Sequence, residues 1–151
     1  MKKVRTTSLA IFAVALISFA FQSFTSQKTM QEPWTAKQLM PTAELAKVIT
    51  EGNKASWYVY SVGPGALIKN SIDIGQCRFE SNLSELKKQL SKLPKDANIV
   101  IYCGCCPFAN CPNIRPSFGL LNEMKFTNHK LLNIPQNIKT DWIDKGYPIA
   151  D

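Results

Sequence analysis

Ile99-Val100-Ile101-Tyr102, closed at once by Cys103, is the stretch on which the fold turns. Four consecutive strand formers without polar alternation predict a strand buried on both faces, as in a parallel sheet. Lys95-Asp96-Ala97-Asn98 ahead of it reads as a turn. Residues 104 to 114 behind it, Gly-Cys-Cys-Pro-Phe-Ala-Asn-Cys-Pro-Asn-Ile, have no period and hold Cys105, Cys106 and Cys111. Arg115-Pro116 then predicts a helix to about Phe126. Pro stands in its first turn, and Phe118, Leu121 and Met124 face inward.

Working outward, Trp57 to Val62 is β-branched and aromatic and predicts a strand, ended by Gly63-Pro64-Gly65. Ile68 to Ile74 predicts a short extended piece closed by Gly75. Thr42 is suited to cap a helix over Ala43 to Glu51, with Leu45, Val48 and Ile49 on one face and Gly52 at its C-cap. Asn82 followed by Glu85 predicts a capping box for a helix that ends near Leu93-Pro94. Lys130 to Ile134 reads as a last short strand, and Thr140 to Lys145 as a final helical turn. Strands and helices alternate at βα spacing. The expected fold class is therefore α/β, with a mostly parallel central sheet and helices on both faces. In such sheets the crevice lies beyond the carboxyl ends of the strands, and that is where Cys103 stands.

The N-terminal end reads as an address. Met1 to Arg5 is short and basic, Leu9 to Phe21 is apolar except for Ser18, and Gln22 to Gln27 is small and polar. That order matches a secretory signal, cleaved after Ala20 or near Ser26. The apolar run is shorter than the roughly 20 residues needed to cross a bilayer. Residues 1–26 are expected to be a signal peptide, 27–37 an N-terminal tether and 38–151 the folded domain. The expected location is exported, periplasmic or secreted, and a membrane is met only through an uncleaved signal. The 151 residues carry 18 Lys and Arg against 11 Asp and Glu. Lys2, Lys3 and Arg5 crowd the N-terminus, and no later basic run exceeds Lys87-Lys88. This argues against a nucleic-acid reader, whose charge gathers on one face. No heptad or internal repeat is present, which excludes coiled coils and solenoids.

A thiol at a strand end, before an irregular loop and a helix N-terminus, is well placed to ionise. Loop N–H groups can form an anion nest, the helix dipole adds positive potential, and Arg115 adds a charge. Each favours the thiolate and predicts a pKa for Cys103 below that of free Cys. The bland alternative is an inert buried cysteine. His129, the only histidine, follows Thr127-Asn128 and reads as a solvated surface residue, which weakens a Cys–His hydrolase.

These residues resemble the active-site segment of rhodanese-like domains. Ile99 to Cys103, followed by a loop, an Arg and a helix, carries the likeness. Pro41 to Ile49 is similar to the family's first helix, and Trp57 to Val62 to its second strand. Ile68 to Ile74 resembles a worn form of its His-Ile-Pro-Gly segment. Asp141-Trp142-Ile143 with Gly146-Tyr147-Pro148 is similar to its closing Trp and Gly-x-Pro. The likeness spans residues 38 to 149 and points to an exported single-domain subgroup with an extended Cys-rich loop. It implies a rhodanese-like fold and a sulfurtransferase that moves sulfane sulfur through a Cys103 persulfide, with no cofactor. Gly104, Cys105, Cys106 and Arg115 would then bind the substrate. The implied partners are a small sulfur donor, such as thiosulfate or a persulfide, and a thiol acceptor, which a protein can supply.

Cys105, Cys106 and Cys111 leave three readings open. They resolve a persulfide or sulfenate on Cys103. They join Cys103 in a Zn²⁺ or Cu(I) site, although C-x-C-C-x4-C is not the paired spacing of a structural zinc site. Or Cys105 or Cys106 pairs with Cys111 in a disulfide that stiffens the loop. The second of these defines an alternative function, a non-catalytic redox or metal-binding thiol module on the same fold.

Overall fold

A computed structural model describes residues 31–52 and 57–151. The expected signal peptide lies outside the described residues. The buried run forms the central strand β4 (Asn98–Tyr102). It pairs in parallel with β2 (Trp57–Ser61) on one side and β5 (His129–Leu132) on the other. Beyond β5 lies β1 (Leu39–Met40) and beyond β2 lies β3 (Ile72–Asp73), which completes an all-parallel sheet of order β1-β5-β4-β2-β3.

Ile99, Val100, Ile101 and Tyr102 are all sealed from solvent because helices cover both sheet faces. On one face Ile99 and Ile101 meet α2 (Glu80–Leu90) and α3 (Ile114–Glu123) through Leu86, Leu90, Ile114, Phe118 and Leu121. On the other, Val100 and Tyr102 meet α1 (Thr42–Glu51) and α4 (Ile138–Asp141) through Leu45, Ala46 and Ile138, with Trp142 beside them. Each such buried aliphatic side chain is worth roughly 1.5–3 kcal/mol relative to an exposed one. The lack of alternation in β4 thus follows from a core on either side of it.

Local details depart from the sequence pattern where tertiary contacts intervene. Thr42 is the first residue of α1 and not its cap; Pro41 precedes it and no side chain caps the helix. Gly52 takes the left-handed C-cap conformation, φ +59°. The Asn82–Glu85 capping box does not form. The helix α2 already begins at Glu80, and the Asn82 amide donates to the Gln76 carbonyl. The same helix stops at Leu90, before Leu93-Pro94. The extended piece Ile68–Ile74 is interrupted at Asn70, φ +63°, where the Ser71 hydroxyl turns back to the Ile68 carbonyl. Only Ile72–Asp73 remain in the sheet, while Ile68 bridges Ile149 in antiparallel fashion.

The described part of the expected tether, residues 31–37, is docked. Trp34 is 6% exposed and meets the rings of Phe108 and Phe118 edge-on, each at 5.8 Å. Among the described residues, no helix is long and apolar enough to cross a membrane.

Candidate functional site

The chain leaves β4 at Tyr102 and enters the cysteine loop at Cys103. On the neighbouring strand, β2 ends at Ser61, and the Val62 amide donates to the Tyr102 carbonyl at 2.9 Å. Gly63 follows, and its lack of a side chain is required. A Cβ there would lie 2.5 Å from the Cys103 sulfur. The sulfur therefore packs directly on Gly63 backbone and is buried, at 1% residue exposure.

The loop itself is anchored on two sides. Gly104 accepts from the Ile138 amide at 3.0 Å, and a Cβ on Gly104 would press into Ile138 at 2.8 Å. The Phe108 amide donates to Ile134 at 3.3 Å and opens a 3-10 turn over Phe108–Asn110. Amides of Phe108, Asn110 and Cys111 are spent on carbonyls, and Pro107 and Pro112 have none to give. The nest expected from the loop backbone is accordingly reduced, and the Cys105 N–H is the backbone donor to the Cys103 sulfur.

Side chains supply the remaining donors. The Cys111 thiol hydrogen-bonds the Cys103 sulfur, Asn113 Nδ2 approaches it at 3.5 Å, and the Cys105 sulfur stands at 3.3 Å. Asn113 precedes α3 and is itself buried. Its Oδ1 accepts from the Arg78 amide at 3.0 Å, which forces its NH₂ toward the sulfur. These contacts, the Cys111 thiol foremost, hold the Cys103 thiol down at about 5 against the desolvation that opposes ionisation. The neighbours move the other way. Burial, reinforced by the hydrogen bonds to Cys103 and Cys106, pushes Cys105 up to about 12. Its bond to Cys103, then burial, pushes Cys111 up as well. The negative charge therefore sits on Cys103, with the thiols of Cys105 and Cys111 protonated beside it.

All four loop sulfurs, of Cys103, Cys105, Cys106 and Cys111, lie within 4.8 Å of one another. Cys105 is exposed, Cys106 half-buried and Cys111 buried, and all five cysteines are free thiols. Cys77 stands apart from this cluster. Its amide donates to Val62 at 3.1 Å, and burial raises its thiol.

Arg115, expected to lend its charge to Cys103, is engaged elsewhere. Its guanidinium donates to the Ala109 carbonyl at 3.2 Å, faces Glu32 at 3.9 Å and lies 5.3 Å from the centre of the Trp34 ring. It clamps the loop to the N-terminal segment and is not among the groups that lower the Cys103 thiol.

His129 is not a surface residue. It is 5% exposed, stacked at 4.7 Å on Phe118, with Nε2 2.8 Å from Asn122 Oδ1. It begins β5, one residue earlier than expected, and so shares the inward face with Leu131; burial lowers its pKa. Its register partner is Ile99, four residues before Cys103. At about 3.3 Å per residue the two lie roughly 13 Å apart along the sheet, which removes a Cys–His dyad.

Two site residues escape a reading of the sequence, Asn113 and Gly63. Both carry a faint local signal: an Asn immediately before a helix, and a Gly just past a strand whose neighbour ends in Cys. Comparison with protein-family models, with curated proteins and with solved structures finds no match to the chain.

Proposed function

We propose that this chain is an exported, rhodanese-like, single-domain sulfurtransferase that moves sulfane sulfur through a persulfide on Cys103. The observation that carries the reading is a buried sulfur beyond the carboxyl end of the central strand, faced by Cys111, the Cys105 amide and Asn113, which hold its thiol down at about 5. An all-parallel sheet with helices on both faces is the class that the resemblance implies.

In the first half-reaction the Cys103 thiolate attacks the outer sulfur of a small anionic donor such as thiosulfate. The donor's S–S bond breaks, sulfite leaves with the electron pair, and Cys103–S–S⁻ remains. The terminal sulfur inherits the donors that held the thiolate. In the second half-reaction an acceptor thiolate attacks that terminal sulfur, and Cys103 departs as thiolate. The donor approaches from the side of Cys105 and Cys106, because Cys105 is exposed and Cys106 half-buried whereas Cys103 and Cys111 are buried. The intact mass of reduced protein before and after thiosulfate tests this. The expected result is about one equivalent of sulfite released and, in Cys105→Ser, which lacks the neighbouring thiol at 3.3 Å, a gain of about 32 Da, one sulfur atom. Cys103→Ser should lose both; a variant that releases sulfite at the wild-type rate would overturn the reading.

The four-sulfur cluster supports a second reading, a soft-metal site. Sulfurs around a tetrahedral Zn²⁺ at about 2.3 Å stand roughly 3.8 Å apart. The spread within 4.8 Å suits that, although the 3.3 Å contacts of Cys105 with Cys103 and Cys106 would have to open. Metal analysis of anaerobically purified protein discriminates. Stoichiometric zinc or copper, lost on joint Cys105→Ser and Cys111→Ser replacement, favours the metal site. Metal-free protein that takes up sulfur favours transfer.

A further inference from the structure

A persulfide is stable only where no second thiol can reach its inner sulfur. On this chain the reverse holds. Cys105 Sγ lies 3.3 Å from Cys103 Sγ, and two further sulfurs stand within 4.8 Å. A disulfide needs about 2.05 Å, so the pair closes with a movement of roughly 1.3 Å. The Cα atoms of residues two apart are separated by at most about 7 Å, close to the span that disulfides bridge. Cys105 is also the most exposed sulfur of the four, so a disulfide formed with it remains open to attack from outside.

We infer that, where no acceptor thiol takes it first, sulfur loaded on Cys103 leaves as hydrosulfide, expelled by Cys105, and that the chain finishes the half-reaction as a Cys103–Cys105 disulfide reduced by an external dithiol. This rests on the persulfide reading above. The step balances. Cys103–S–S⁻ and Cys105–SH give Cys103–S–S–Cys105 and HS⁻. The new bond joins the two Sγ atoms, and the bond to the terminal sulfur breaks. The Cys105 proton leaves on that sulfur, which gains the two electrons the cysteines give up. In the recovery step a dithiol attacks the exposed Cys105 sulfur and frees Cys103 as thiolate; its second thiol then releases Cys105. The substrate class is thus sulfane sulfur to be reduced, and the second partner is a dithiol reductant.

The experiment is a single turnover of the reduced full chain, freed of reductant, with one equivalent of thiosulfate. Sulfite, hydrosulfide and the alkylated intact mass are measured together. The expected result is about one equivalent each of sulfite and hydrosulfide, with protein that takes up two alkyl groups fewer than before thiosulfate and Cys103 linked to Cys105 in its peptides. In Cys105→Ser, which keeps the backbone amide, the ratio of hydrosulfide to sulfite should fall at least tenfold and about 32 Da should stay on Cys103. Wild-type protein that keeps the extra sulfur, or a Cys105→Ser ratio equal to wild type, overturns the inference and leaves sulfur transfer standing. Absence of sulfite from the wild type overturns the parent reading instead, and the inference with it.

Discussion

Cys77 and Cys103 are buried to the same degree, 2% and 1% exposed, and both lie just past the carboxyl edge of the sheet. Their thiols nevertheless move in opposite directions. Burial raises Cys77, whereas Cys103 falls to about 5. Desolvation opposes the thiolate at both, so the difference lies in who donates. Asn113 divides the two regions. Its carbonyl oxygen takes the Arg78 amide, next to Cys77, and its NH₂ is handed to Cys103. Ser117, beside Cys77, donates its hydroxyl to the main-chain carbonyl of Asn113 at 2.8 Å, and its hydrogen bond to the Cys77 sulfur lowers that thiol without outweighing burial. Donors therefore set which buried sulfur becomes reactive, and burial alone does not.

The sharpest way to break this contrast is Asn113→Asp. The acceptor for Arg78 survives, but a carboxylate replaces the donor that faces the sulfur. Loss of a hydrogen bond to a charged group, with a like charge added, should raise the pH midpoint of Cys103 alkylation by about two pH units or more. Asn113→Ala should raise it by about one, and leave the Arg78 amide unpaired at a stability cost of about 1–3 kcal/mol. A midpoint near 5 in the Asp variant would show that Asn113 does not separate the two thiols.

The sequence pattern made one side of this contrast readable. The run Ile99–Tyr102, with Cys103 at its end, places a thiol beyond a strand in a parallel sheet, and both the class and the position follow from the absence of alternation. The role of the donors was not readable, although the sequence groups Cys111 with Cys103 as a resolving or metal-binding thiol. Asn113 and Cys111 reach the sulfur from 10 and 8 positions along the chain through a loop without period, and Gly63 reaches it from another strand. Arg115 misleads for the same reason. Its nearness in sequence suggests a partner for Cys103, but Trp34 and Glu32 hold it after the N-terminal segment folds back. His129 misleads because polar neighbours in the chain conceal its register with Ile99 in the core.

A second, smaller effect is thermodynamic. The Cys103 thiol is depressed in the fold from its ordinary value of 9.0 to about 5. Its contribution to stability is therefore complete above the unfolded value and is lost as pH falls through the folded one. The raised thiols Cys105 and Cys111 contribute with the opposite sign, and their share is lost as pH rises above the unfolded value. The stability difference between wild type and Cys103→Ser, from urea unfolding under reducing conditions, should grow between pH 5 and 9 by up to about 1.4 kcal/mol per pH unit. Taking the difference removes His129, whose buried neutral ring destabilises both proteins equally in acid. A flat difference would mean that the thiolate is no more favoured in the fold than in the unfolded chain.

The smallest effect expected is that of Cys77→Ala, and its smallness matters. Cys77 provides none of the hydrogen bonds that lower Cys103, and its sulfur lies outside the group of four. Removing one buried sulfur atom from well-packed surroundings should cost about 1 kcal/mol or less. The alkylation midpoint of Cys103, the uptake of sulfur and the yield of hydrosulfide should all stay as in the wild type. Cys77 and Cys103 are close enough for their charges to interact, yet Cys77 stays protonated through the range in which Cys103 works. A neutral neighbour without a donor turned to the thiolate has no lever on it. If Cys77→Ala moves the Cys103 midpoint by a full pH unit, the two thiols share one proton network and the division drawn at Asn113 is in the wrong place.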